Sequence, residues 1–338
     1  MIHIRLRSSA APRTDDVDGV EVLRVSLNLR KPWSILSVHA LLRREMKEAD
    51  IVHSMAFSTI LLMLPVWLTV RLPWLHTEHW NGVTNPASVG PAWQRLAWLR
   101  HLLRFPHGVT GVTTELAERL QLFARPGASR VVPCVVDNSR PLRPWPRAER
   151  LRLVAVGGLV PRKRPLLALE TVQWLTEHGR AVHLEWVGEG PLEDQMRQRA
   201  STAQVAELIH LRGALPPDEI FARMEEADLF FLPSEQENFF TAAAEALSCG
   251  RPVVAAVAGG YDDYCDATNS VLVETPTAET LGEAIIEAGA LLEHSTPEGL
   301  AGPVRERFNA RVVADLFTMA YEAAELRSNT RRARKALP

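Results

Sequence analysis

The chain predicts an α/β fold built from two Rossmann-like domains with mostly parallel sheets. Three observations carry that expectation. Strand-like and helix-like segments alternate nearly throughout, with no internal repeat. Several strand-like segments run into glycine-containing turns that open helices, the arrangement in which strand ends and helix amino termini meet. The length, 338 residues, exceeds what one hydrophobic core usually supports.

Composition narrows the function classes. Thirty-eight Lys and Arg against 40 Asp and Glu leave a net charge of −2, which gives no overall electrostatic reason to expect nucleic acid as a partner. Cys134, Cys249 and Cys265 are widely separated and show no paired metal-ligand spacing, so neither a disulfide framework nor a thiolate metal site is expected. A reducing cytoplasmic setting follows as the expectation. The opening "MIHIRLRSSAAPRTDD" alternates apolar and basic side chains and forms no apolar signal region. The apolar run over 59–70 is interrupted by Pro65 and ends at Arg71, short of the ~20 residues that span a bilayer, and reads as a buried helix.

In the first half, 20–25, 49–54, 73–79, 108–114 and 129–137 read as strands or strand ends, several of them separated by helical stretches. Residues 138–150, "NSRPLRPWPRAER", are rich in proline and arginine and predict an interdomain linker with the hinge. Domain bounds follow as 1–137 and 151–309, with a helix over 310–327 crossing back to brace the first domain and a basic, disordered tail over 328–338.

The second half restarts with "LRLVAVGGLVPRKRP" (151–165), a strand entering a glycine-containing basic loop, and "VHLEWVGEGPLED" (182–194) repeats the logic. Further on, "ADLFFLPS" (227–234) reads as a buried strand running into a loop, and "TAAAEALSCG" (241–250) as a helix capped by Thr241 and stopped by Gly250, with Pro252 just beyond. This places Glu237 on a loop and Glu245 on a helix. Two carboxylates so placed can face one crevice and accept hydrogen bonds from a polyol; the same spacing also suits two solvated glutamates.

The ordered set "VGGLVPRKRP", "VGEGPLED", "LRGALPPDEIFARMEEADLFFLPS", the E-x7-E stretch, and "GRPVVAAVAGGYDDYC" running to "NSVLVE" resembles the GT-B glycosyltransferases of family 4. The resemblance covers roughly 125 residues of the second half by this reading. The first half is similar more loosely, through "ADIVHSM", "LHTEHW", "GVTTELAERL" and "VVPCVVD". The resemblance implies a retaining enzyme that takes a sugar from a nucleotide diphosphate sugar. It implies that Glu245 holds the donor ribose, Glu237 the transferred sugar, and Lys163 the diphosphate, with Gly157, Arg162, Phe239, Phe240 and Thr241 also lining the donor site. It implies that His79 approaches the reacting sugar from the opposite domain; alone, a histidine after an apolar strand is as readily a satisfied core residue, and Lys163 a surface lysine. His76 and His79 have ligand spacing but no identifiable third ligand, and no metal or other cofactor is expected.

The chain departs from the family pattern in three places. Gly158 stands where an arginine is usual, so Arg162 or Arg164 is expected to take its role. Phe240 stands where glycine or proline is usual, and its bulk is expected to hinder backbone approach to phosphate. The strand, glycine-rich loop and helix with which the family usually begins are not evident ahead of "MIHIRL", so the first domain is expected to be abbreviated or the start truncated, with a partner subunit as one way to cover the exposed surface.

The resemblance further implies a front-face substitution with domain closure about the linker excluding water. The acceptor is a glycan, a lipid-linked glycan or a small molecule. Residues 91–105, "PAWQRLAWLRHLLRF", suit either an anionic membrane surface or an ordinary amphipathic helix, which leaves peripheral contact with the inner face of the cytoplasmic membrane open. Two other readings stand beside the transferase: a catalytically degenerate subunit or scaffold, and a sugar-nucleotide epimerase of the same fold.

Overall fold

A computed structural model of the protein describes residues 1–6, 11–146, 149–261 and 263–336. The chain divides into two compact units, residues 1–110, 120–130 and 319–338, and residues 111–119 and 131–318.

The first unit opens with β1 (Ile2–Leu6), β2 (Arg13–Val17) and β3 (Val20–Leu27), a three-stranded sheet in the order β1-β3-β2. β2 and β3 form an antiparallel hairpin that the sequence analysis missed. Its signal was Asp18-Gly19, both at positive φ (52° and 78°), the backbone a two-residue hairpin turn requires. There follow α1 (Pro32–Glu48), β4 (Val52–Met55), α2 (Phe57–Val70) and β5 (Trp74–Glu78). α2 is the expected apolar helix, but only Phe57, Ile60, Met63, Val66 and Trp67 are buried, one face of it; Arg71 in the left-handed region closes it. Then come α3 (Pro91–Leu96), β6 (Gly108–Gly111), α4 (Thr114–Gln121) and β7 (Ser129–Val131). A four-stranded sheet runs β4-β5-β6-β7. The helix expected over 91–105 is α only to Leu96 and continues as 3-10 helix over Ala97–Arg104.

The second unit holds β8 (Leu151–Val156), α5 (Pro165–Glu177), β9 (Val182–Val187), α6 (Glu193–Thr202), β10 (Ile209–Leu211), α7 (Pro217–Glu225), β11 (Leu229–Leu232), α8 (Thr241–Ser248), β12 (Val253–Ala256), β13 (Ser270–Val273), α9 (Ala278–His294) and α10 (Pro297–Arg307). α11 (Ala310–Ala336) ends the described chain. The sheet order is β10-β9-β8-β11-β12-β13, parallel at every pair. This is the doubly wound Rossmann order, with its reversal between β8 and β11. β11 and β12 are buried at every residue, as central parallel strands covered on both faces must be.

Two expectations need correcting. Residues 138–146 are no free linker but part of the second unit. Arg140 and Arg143 pair with the buried carboxylate of Glu225 at 2.9 Å each, and the Trp145 indole donates to Gly250 O at 2.8 Å. Composition marked the segment as irregular; it could not show that its arginines find buried acceptors. The basic tail is helical through Ala336, because Arg, Ala and Lys are good helix formers continuing from α11; Ser328 is buried. Residues 337 and 338 lie outside the described residues. From residue 319 onward α11 belongs to the first unit, where Tyr321 bonds His53.

Candidate functional site

In the second unit the loops after β8 and β11 meet at the reversal of strand order, the crevice where doubly wound sheets bind ligands. The β8 loop tightens into a 3-10 turn over Pro161–Lys163 and enters α5 through Arg164 at φ 50°. Lys163 is thereby carried inward: it is 8% exposed, which rules out an ordinary surface lysine. Its ammonium donates to Glu237 Oε1 at 2.5 Å and lies 4.4 Å from the centroid of the Phe240 ring. Desolvation lowers the Lys163 pKa, opposed by the charge of Glu237. Gly157 makes room for this side chain, since a Cβ there would lie 3.2 Å from Lys163 Cε.

Glu237 is held from several sides. Its backbone N–H donates to Ala258 O at 2.9 Å, and Arg162 Nη1 lies 3.2 Å from Oε1 while donating to Gln236 O at 2.7 Å. Of the two arginines expected to replace the missing cation at Gly158, Arg162 therefore reaches the site, whereas Arg164 reaches only Glu235, at 4.0 Å. Gly259 and Gly260 let the neighbouring loop lie against this one: a Cβ on Gly260, at φ 77°, would sit 1.5 Å from Asn238 O.

Phe240 does not obstruct the site as its bulk suggested. It is 3% exposed, its ring packs edge-on to Phe230 and Tyr261, and its carbonyl accepts the Tyr264 hydroxyl at 2.9 Å. Sequence showed the volume but not that the ring enters the core. Phe239 likewise packs on Tyr264 and Phe308. Thr241 is not the helix cap: Phe240 occupies that position, and the Thr241 N–H donates to Phe239 O at 2.8 Å.

Glu245 lies one turn inside α8; its carbonyl accepts the Ser248 hydroxyl at 2.8 Å, and its carboxylate makes no hydrogen bond or ion pair among the described residues. Burial, reinforced by the charge of Asp137, raises its pKa to about 7. Asp137 and Cys134 were missed as neighbours of this group. Cys134 shares a hydrogen bond with Thr241, and burial raises its pKa to about 11. Their signal was "VVPCVVD", noted only as a loose resemblance. Ser234 Oγ and Tyr261 Oη, on the two loops around Glu237, are buried without a hydrogen-bond partner.

In the first unit His79 follows β5. It is exposed by surface area, yet enough protein surrounds it that desolvation lowers its pKa, opposed by the charge of Glu78. His76 is buried beside Glu78, and among the described residues no group of three His, Cys, Asp or Glu side chains could hold a metal ion. On the opposite face of the strands, His53 contacts the Tyr321 hydroxyl at 2.8 Å and Thr77 Oγ1 at 2.6 Å, and burial lowers its pKa to about 4. No described helix is long and apolar enough to cross a membrane.

Comparison with known proteins accords with this geometry. The family described as Glycosyl transferases group 1 matches residues 144–294, and Glycosyltransferase Family 4 matches residues 4–140. A 2-deoxystreptamine glucosyltransferase of Streptomyces kanamyceticus is 30% identical over 191 residues, 52% of this chain and 49% of the relative. A 2-deoxystreptamine N-acetyl-D-glucosaminyltransferase of Streptomyces fradiae is 27% identical over 325 residues, 85% of this chain and 74% of the relative. Several relatives are matched over less than half of their own length. The crystal structure of HepE from Anabaena in complex with UDP and glucose superposes with a TM-score of 0.74 at 16% identity, covering 90% of this chain and 86% of that one, a likeness of fold.

Proposed function

The chain belongs to the family 4 glycosyltransferases of GT-B fold, and from that premise we propose that it moves a sugar, with retention, from a nucleoside diphosphate sugar to an acceptor hydroxyl. The observation that carries this reading is the desolvated Lys163–Glu237 pair at the reversal of strand order, with Glu245 one helix away. In this reading the diphosphate takes Lys163 and Arg162, the transferred sugar takes Glu237, and the ribose hydroxyls donate to Glu245. His79 acts at the reacting sugar.

Retention then proceeds on one face of the sugar. The bond from the anomeric carbon to the β-phosphate oxygen breaks, the bond from the acceptor oxygen forms on the same side, and the hydroxyl proton passes to the departing phosphate. Lys163 stabilises the charge growing on that phosphate. The cationic charge that a divalent ion would offer the diphosphate is supplied by Lys163 and Arg162, so we propose that the reaction uses no bound metal.

We propose an anionic membrane surface as a further partner, presenting a lipid-linked glycan acceptor. Of residues 91–105 only Leu103 is buried, while Trp98 is 64% exposed and Leu96 46%. Residues 79–114 contain Arg95, Arg100 and Arg104 and no Asp or Glu. An exposed indole amid unopposed arginines suits an anionic interface. Co-sedimentation with phosphatidylglycerol vesicles, weakened by Trp98→Ser and absent with phosphatidylcholine, is the expected result; equal sedimentation with both lipids would contradict it.

The transferase reading is tested by thermal denaturation of the whole chain with UDP, GDP, ADP and dTDP. A nucleotide at about a hundred times its Kd adds roughly 2.7 kcal/mol to the state that binds it, a rise of about 5 to 11 °C at roughly 2 to 4 °C per kcal/mol for a domain of this size. Selective stabilisation by one nucleotide, lost in Glu245→Ala, is the expected result. No response to any of the four would favour a degenerate subunit, and a changed donor sugar without acceptor would favour an epimerase.

A further inference from the structure

The end of β5 carries an acidic side chain out of reach of solvent. Glu78 is fully buried, as is His76 two residues earlier on the same strand face. Register sets Ser54 of β4 opposite His76. From there a polar chain runs outward. The Trp74 indole N–H donates to Ser54 Oγ at 2.8 Å, and Ser54 Oγ lies 2.8 Å from His76 Nδ1. His76 Nε2 faces Glu78 Oε2 at 3.5 Å without hydrogen-bonding it, and both atoms are buried with no hydrogen-bond partner among the described residues. An indole can only donate, so the Ser54 hydroxyl proton is available to His76 Nδ1, which leaves the protonated Nε2 aimed at the carboxylate. The other oxygen, Oε1, accepts the backbone N–H groups of His79 at 2.9 Å and Trp80 at 2.8 Å. One carboxylate thus ties the sheet to the turn that bears His79.

We infer that Glu78 is the positioning residue of the first unit: it fixes the turn that carries His79 and sets the charge beside its imidazole. This deepens the proposed function and rests on His79 acting at the reacting sugar. A carboxylate placed only to close a turn would not need burial against a second ionisable side chain, since an asparagine or serine closes turns at lower desolvation cost. Glu78 favours the imidazolium of His79 and His76 opposes it. His53 of β4 is coupled to both histidines.

Glu78→Gln separates charge from geometry. The amide oxygen keeps both backbone N–H groups, and His76 accommodates the amide N–H by changing tautomer. With Glu78→Gln the NMR titration midpoint of the His79 imidazole is expected to fall, because the favourable charge is gone. Transfer kcat is expected to drop about tenfold with little change in donor KM, and to drop no further when Glu78→Gln is added to His79→Ala. An unmoved midpoint, or equal losses in the presence and absence of His79, overturns the inference. Glu78→Asp, which keeps the charge and withdraws the carboxylate, is the second variant should Glu78→Gln fold poorly; it should lower kcat while leaving the midpoint closer to that of the unsubstituted protein. A midpoint shift in a protein that transfers no sugar would remove the proposed function and leave the positioning intact.

Discussion

The two units treat ionisable side chains differently. In the second, Lys163, Arg162 and Glu237 sit on loops where cation and anion neutralise each other in the absence of donor, and Glu245 stands without a partner at the next helix. In the first, Glu78, His76 and His53 are locked inside strand ends by hydroxyls, an indole and backbone amides. Loop charges can change partners when a ligand arrives. Strand-end charges cannot, so they set the geometry of what lies next to them. One unit is built to exchange contacts and the other to hold one arrangement.

The strongest way to break this contrast is Lys163→Ala. Loss of the cation proposed to offset the leaving diphosphate should lower kcat by about 10²- to 10³-fold. Glu237 keeps Arg162 as a neighbour, so the melting temperature should move far less than activity does. A large loss of stability with little loss of kcat would make the pair a structural bridge.

Phe240→Leu should be intermediate. The substitution keeps an apolar side chain in the core but removes the ring beneath the ammonium, an interaction worth about 0.5 to 2 kcal/mol. Donor KM should rise by roughly two- to thirtyfold on that basis. An unchanged KM in a stable variant would reduce Phe240 to packing alone.

The last test is a pH dependence, read in stability and not in turnover. The Glu245 pKa rises from 4.5 to about 7 in the folded protein. A raised pKa contributes stability below the unfolded value that is lost as pH rises through the folded one. Glu245→Gln removes that loss, so the difference in melting temperature between the unsubstituted protein and the variant should shrink or reverse from pH 4.5 to 7 and stay level above. Parallel curves across that window would mean that the carboxylate is solvated in the free protein.

Legibility in the sequence followed the same division. The candidate groups of the second unit each lie within a contiguous motif, Lys163 in "VPRKRP" and Glu237 and Glu245 in one helix entry, so sequence alone could single them out. Pairing of loops after β8 and β11 then follows from strand order. The Glu78 network was not legible, because Ser54 and His76 come together only through strand register, which no local pattern encodes. Phe240 marks a middle case. Its identity flagged a departure from the family, yet whether the ring entered the crevice or the core depended on Phe230 and Tyr261. The β2–β3 hairpin was readable from Asp18-Gly19 and was passed over.

The guanidinium of Arg251 has a consequence for dissecting the protein. It is fully buried and donates to five carbonyls, among them Arg143 O at 3.0 Å and Pro144 O at 3.4 Å. A fragment starting at Leu151, the boundary that composition suggests, would remove two of those five acceptors, deprive Glu225 of both arginines and leave Gly250 O without the Trp145 indole. Such a fragment should express as an aggregate. A fragment of the second unit made for crystallisation or NMR has to start upstream of Arg140, so that the proline-rich segment travels with the sheet it seals.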